Sequence, residues 1–128
     1  MGKLIYAANT SLDGFIEDEA GAFDWSVPDE AVHSFWNEHE RGIGTSLYGR
    51  RMYETMQVWQ SDDWLADEPA VVREYADIWR DTDKIVYSTS LADVSTPRTR
   101  IERRFEPESV RQLKQTSGRD LSIGGAQI

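Results

Sequence analysis

The sequence predicts an α/β protein with a mostly parallel central sheet and helices on both faces. Three observations carry that expectation. Short apolar runs rich in β-branched residues alternate with longer amphipathic stretches. Polar or glycine-bearing turns bound the runs. No repeat, low-complexity tract or linker rich in Pro, Gly or Ser interrupts the series. Strand–helix–strand alternation of this kind favours right-handed crossovers that leave consecutive strands parallel.

The elements follow in order. Residues 3–9 (KLIYAAN) are apolar and bounded by a polar loop, so they read as a buried first strand. Residues 10–27 carry Gly14, Gly21 and many carboxylates and read as a long loop, a kind often functional in a compact domain. Ser26, Pro28, Asp29 and Glu30 make a helix start: serine can cap, proline suits the first turn, and carboxylates favour the positive helix end. That helix is expected to bury Val32, Phe35, Trp36 and His39 and to stop near Gly42. Residues 45–48 form a second strand. Residues 50–59 form a second helix, with Met52, Met56 and Trp59 at helical spacing.

A polar loop with Asp62, Asp63, Asp67 and Glu68 comes next. Residues 69–80 form a third helix with Val72, Tyr75, Ala76 and Trp79 as its inner stripe. Residues 83–89 (DKIVYST) are a third strand. Residues 99–105 alternate apolar and basic side chains, as suits a strand with one wet face. A fourth helix over 107–115 and a last strand over 120–123 lead to Gly124-Gly125. The whole chain, 1–128, reads as one domain.

Composition narrows the function. The chain of 128 residues is 39% hydrophobic and 11% aromatic, enough for a packed core. It has no cysteine, which excludes disulfides, thiolate metal sites and cysteine nucleophiles. No apolar run approaches the roughly 18 residues of a membrane helix, so a soluble, cytoplasmic protein is expected. A net charge of -9 repels phosphate backbones and argues against nucleic-acid partners. The arginines at 98, 100, 103 and 104 read as surface cations paired with the abundant carboxylates. His33 and His39 lie six apart, the wrong spacing for two ligands on one helix face, and no metal is expected. There is no P-loop, no G-x-G-x-x-G fingerprint and no G-x-S-x-G elbow.

Three turns stand out. Gly49-Arg50-Arg51 joins a strand to a helix start, where N–H groups and guanidinium charge would suit a phosphate; an ordinary turn with exposed arginines fits equally. Ser88-Thr89 ends a strand at the carboxyl edge of the sheet, where ligands bind in open α/β folds; a turn-forming hydroxyl pair is the alternative. Gly124-Gly125 follows a buried strand and would let a pyrophosphate approach the backbone closely. Ala7 and Ala8 leave room for a flat ring or simply fill a tight core.

Taken in order, residues 3–17 (KLIYAANTSLDGFIE), 23–30 (FDWSVPDE), 45–56 (TSLYGRRMYETM), 84–90 (KIVYSTS) and 120–125 (DLSIGG) resemble the dihydrofolate-reductase-like family. Within it they are most similar to the reductase domain of the bacterial riboflavin deaminase–reductase and its stand-alone relatives. The resemblance implies a three-layer dihydrofolate-reductase-like fold, a homodimer, and NADPH as cofactor. It places NADPH phosphates at Gly49, Arg50 and Arg51, the ribose or its 2′-phosphate at Ser88 and Thr89, and the pyrophosphate at Gly124 and Gly125, a pair that typically carries a non-proline cis peptide. It sets Ala8 under the nicotinamide. Asp13 and Trp25 become substrate-side candidates, with a loop-bracing role equally open for Asp13. Glu30 falls where dihydrofolate reductases keep a substrate-binding carboxylate, so it is either a catalytic acid or a helix-end charge. The family continues past the paired glycines with a cofactor-facing helix and further strands, so this chain is expected to lack its final strands.

The activity implied is NADPH-dependent reduction of a small heterocyclic or ribosyl substrate. The riboflavin branch would deliver hydride to the ribosyl C1 of 5-amino-6-(5-phosphoribosylamino)uracil; the folate branch would reduce a dihydropterin. The alternative is a non-catalytic NADP(H)-binding module.

Overall fold

The computed structural model describes residues 2–8 and 29–124. Ten elements are built in these stretches: β1 (Leu4–Tyr6), α1 (Glu30–Arg41), β2 (Ile43–Gly49), α2 (Arg50–Met56), one 3-10 turn (Gln57–Gln60), α3 (Ala70–Asp81), β3 (Asp83–Tyr87), β4 (Thr99–Glu102), α4 (Pro107–Thr116) and β5 (Asp120–Gly124). The five strands form one sheet in the order β1-β5-β2-β3-β4, and every pairing is parallel.

The sheet is the middle of three layers. Alternate residues of β2 serve opposite faces. Tyr48 packs with Val86, Tyr53, Tyr75 and Trp79 beneath α1, α2 and α3, while Leu47 packs with Leu121 and Val110 beneath α4. Because both faces of the sheet are covered, Leu47 and Tyr48 of β2 and Ile85 and Val86 of β3 are apolar and buried at consecutive steps rather than at alternate ones. The α/β expectation, with a parallel sheet and helices on both faces, is what the chain adopts.

Three details depart from the sequence reading. The first strand is not buried. β1 pairs with β5 at the end of the row, and Leu4 and Tyr6 stay 36% and 58% exposed. β3 and β4 end earlier than expected, at Tyr87 and Glu102, so Ser88-Thr89 and Arg103 to Phe105 lie just beyond strand ends.

The third departure concerns α1. Its inward side holds His33 and Asn37, whereas Val32 and Phe35 are 42% and 65% exposed. The buried polar pair is satisfied. Asn37 Nδ2 donates to the Val71 carbonyl (2.8 Å) and to Glu74 Oε1 (3.2 Å), and His33 Nδ1 lies 3.3 Å from Asn37 Oδ1. His33 also meets Trp59 and Tyr75 edge-on. Fully bonded polar groups can be buried at little cost, so the hydrogen-bonded side wins the contact with α3. Trp36 packs at the margin of the core as expected. The N-cap is Asp29, whose carboxylate accepts from Val32 N–H at 2.9 Å; Ser26 and Pro28 lie outside the described residues.

Candidate functional site

In an all-parallel sheet every strand delivers its carboxyl end to the same rim. The register makes this concrete: Tyr48 is level with Gly124, Gly49 with Tyr87, and Tyr87 with Glu102. Gly124, Gly49 and Ser88 therefore stand on neighbouring strands at one rim, in the order β5, β2, β3. With strands about 4.8 Å apart, Gly124 and Ser88 are separated by about 10 Å across that rim. Ala8 follows β1 one strand beyond Gly124, and Arg103 follows β4 one strand beyond Ser88. The row spans about 19 Å from end to end.

The individual residues behave differently. Gly49 caps α2 with φ -76 and ψ 169, an extended backbone open to any residue, so the turn itself does not call for glycine there. A Cβ placed on Gly124 would meet Met52 Cε and Tyr48 Cδ1 at 3.6 Å, ordinary contact. Protein packing therefore does not require a glycine at 124. Arg50 turns along its own helix to Glu54 (3.6 Å), and Arg51 is exposed beside it. Thr89 is exposed. Ser88 is half-buried, and its Oγ accepts from the N–H groups of Ser90 (3.3 Å) and Leu91 (3.0 Å).

Glu30 occupies the first turn of α1 and is exposed. Because α1 runs into the start of β2 through Gly42, its first turn points toward the carboxyl rim of the sheet. Asp13, Trp25 and Gly125 lie outside the described residues, as does the peptide bond between Gly124 and Gly125.

The segment after β3 is braced from below. Tyr53 Oη shares a hydrogen bond with Thr96 Oγ1 (2.9 Å) and accepts from Ser95 N–H (3.3 Å). Burial pushes this phenol up, but the bonds to Thr96, Gln57 and Ser95 outweigh it and hold it below its ordinary value. Arg98 takes a φ of 57, a left-handed backbone uncommon for a residue with a side chain, at the turn into β4. Its guanidinium pairs with Asp83, that of Arg100 with Glu102, and that of Arg104 with Glu106. Three of the four clustered arginines are thus paired with carboxylates, as the sequence suggested.

A second concentration of chemistry lies inside the protein. Ser122, Ser46, Lys84 and Thr99 are register partners on adjacent strands, so a polar row crosses the sheet on the side of α1 and α3. Ser122 Oγ donates to Ser46 Oγ at 3.1 Å. Lys84 is 1% exposed, with Nζ 4.0 Å from the Trp79 ring centre and 3.5 Å from the Arg80 carbonyl. Burial first, and Arg98 second, pull its pKa down to about 8. Glu40, largely enclosed near the end of α1, is pushed up to about 7 by burial. Its charge raises the buried phenols of Tyr48 and Tyr75 further. Neither Lys84 nor Glu40 stood out in the sequence. The signal was there for Lys84, a lone cation within an apolar strand.

The described residues hold no group of three or more potential metal ligands and no helix long and apolar enough to cross a membrane.

This architecture is that of the dihydrofolate-reductase-like three-layer fold, and solved structures share it. The chain superimposes on a Shewanella sp. PV-4 protein assigned to riboflavin biosynthesis with a TM-score of 0.63, at 21% identity, covering 98% of this chain and 65% of that one. It superimposes on the diaminohydroxyphosphoribosylaminopyrimidine deaminase/5-amino-6-(5-phosphoribosylamino)uracil reductase of Thermotoga maritima with a TM-score of 0.59, at 16% identity, covering 98% and 40%. In sequence it is 28% identical over 129 residues to the uncharacterized Bacillus subtilis protein YyaP, covering 98% of this chain and 64% of that protein. The chain thus spans just under two thirds of the length of YyaP and of the Shewanella protein. No family model matches it.

Proposed function

We propose that the chain is the dinucleotide-binding part of an NADPH-dependent reductase of the riboflavin-biosynthesis type. The observation that carries this reading is the row of Ala8, Gly124, Gly49 and Ser88 along one carboxyl rim, in a fold shared with a deaminase/reductase. Open parallel sheets bind nucleotides outside the carboxyl ends of their strands. A low, glycine-bearing centre flanked by hydroxyls suits an extended dinucleotide, with the pyrophosphate near Gly124 and Gly49 and the adenosine ribose near Ser88 and Thr89. Ala8 would leave space for the nicotinamide. NADPH when bound would supply the hydride, and the protein's part is to hold and orient it.

The substrate in this reading is a small heterocycle or a ribosyl-linked aminopyrimidine. Asp13 and Trp25 are its candidate contacts, and Glu30 is the candidate acid on the rim side of α1. A non-catalytic NADP(H)-binding module is the second reading, and the exposure of Glu30 favours it, since a carboxyl in water lacks the enclosure that tunes a catalytic acid.

Titrating the chain with NADPH while following its five tryptophans tests both readings. Saturable quenching, with NADPH oxidation on adding 5-amino-6-(5-phosphoribosylamino)uracil or a dihydropterin, supports the reductase. Binding without turnover supports the module. No binding removes both.

A further inference from the structure

Of the four arginines between Pro97 and Phe105, Arg103 is the exception. Arg98, Arg100 and Arg104 meet carboxylates at 2.9, 3.4 and 3.5 Å. Arg103 Nη1 instead donates to two main-chain carbonyls, those of Ser88 (3.2 Å) and Leu91 (2.5 Å). Among the described residues no carboxylate lies within ion-pair distance of it. A carbonyl is a dipole, not a counter-charge, so this guanidinium keeps its full positive charge.

The same two bonds fix its direction. They occupy both protons of Nη1 and tie the side chain to the segment that follows β3. The Nε–Nη2 edge is left over, and that edge of the fork binds phosphate or carboxylate oxygens in pairs. The tie to the Ser88 carbonyl sets the guanidinium beside Ser88 and Thr89. It also directly follows the last strand of the row, one step beyond the place assigned above to the adenosine ribose.

Charge gives this placement a consequence. At a net charge of -9 the protein as a whole repels the more anionic of two related ligands. Preference for a dinucleotide with an additional phosphate monoester needs a local cation that no carboxylate has neutralised.

We propose that Arg103 is the specificity-determining residue of the rim: it receives the phosphate monoester on the adenosine ribose and so selects NADPH over NADH. The inference rests on the dinucleotide reading above. Arg103 touches neither the hydride nor the substrate, and its role is selection of the cofactor.

The test is a set of fluorescence titrations of the wild-type chain, R103Q and R103K with NADPH and with NADH, each variant checked by its thermal melt. The wild type is expected to bind NADPH at least about tenfold more tightly than NADH, the size of one charge-assisted bond pair. R103Q is expected to weaken NADPH alone and erase the preference, and R103K to restore part of it. Equal loss for both dinucleotides would show that Arg103 only braces the loop and would overturn the proposal. So would a preference that survives R103Q, or a wild type that does not discriminate. Each of those results leaves dinucleotide binding standing, whereas a wild type that binds neither dinucleotide overturns that reading and this one together. A wild-type measurement keeps the test decisive if R103Q does not fold. The preference should fall as pH drops below about 6, where the monoester loses its second charge, and a pH-independent preference would count against Arg103.

Discussion

Lys84 holds its ammonium 4.0 Å from the centre of the Trp79 ring, inside the core and without a bonded carboxylate among the described residues. Its folded pKa of about 8 lies below the ordinary 10.5. Between those two values the unfolded chain binds more protons than the folded one, so this group makes stability rise with pH across that window. Below pH 8 the penalty of a buried cation is present in full. K84M removes both the penalty and the cation–π contact, worth about 1–2 kcal/mol. The mutant is expected to melt a few degrees above wild type at pH 7, with the gap closing as pH approaches 10. Paired thermal melts across pH 6–10 read this out, and a gap that widens with pH would sink it.

Glu40 predicts the opposite slope. Burial raises its pKa from 4.5 to about 7. A carboxyl with a raised folded pKa leaves stability untouched below about 4.5 and lowers it as pH climbs through 7, because the folded state resists giving up the proton. E40Q is expected to match wild type near pH 4.5 and to be more stable at pH 8. Urea midpoints at the two pH values measure the difference. Equal midpoints at pH 8 would mean that Glu40 is hydrated in solution.

The buried side of α1 can be weighed directly. N37A leaves His33 and the Val71 carbonyl without their shared partner, while the exposed Glu74 keeps its pair with Arg41, and is expected to cost about 1–3 kcal/mol. F35S changes a ring that is 65% exposed and is expected to stay within about 0.5 kcal/mol. Denaturant unfolding of the two variants compares them. A larger loss for F35S would restore the apolar side as the inward one.

That contrast shows which parts of the fold could be read from the sequence. β2 and β3 were legible because each carries adjacent apolar residues that face both layers, Leu47 with Tyr48 and Ile85 with Val86, and all four are buried. α3 was legible because Tyr75, Ala76 and Trp79 are both its apolar stripe and its buried one. α1 was not, since apolar character marks Val32 and Phe35 while hydrogen bonding, invisible to periodicity, selects His33 and Asn37. β1 was read as buried because its composition resembles that of a central strand; composition does not reveal which strand ends the row. The rim positions of Gly49, Ser88 and Gly124 followed from strand–helix alternation alone, since parallel strands must end together. Arg103 could not be separated from its three neighbours by sequence, because what distinguishes it is the partner each arginine finds.

Gly124 separates packing from ligand approach. An added methyl would touch Met52 and Tyr48 at 3.6 Å, and the strand backbone there suits an L-residue. Replacing glycine by alanine within a strand also removes backbone freedom from the unfolded chain, worth about 0.5–1 kcal/mol in favour of the fold. G124A is therefore expected to melt at or above the wild-type temperature. On the rim the same methyl stands between the backbone and whatever lies against it. If the pyrophosphate of NADPH is what approaches, its affinity should fall about tenfold or more, a loss of roughly 1.4 kcal/mol or greater. Calorimetric titration beside a thermal melt gives both numbers from one preparation. Unchanged affinity in a stably folded G124A would remove Gly124 from the cofactor's path and leave the centre of the rim without its assigned role.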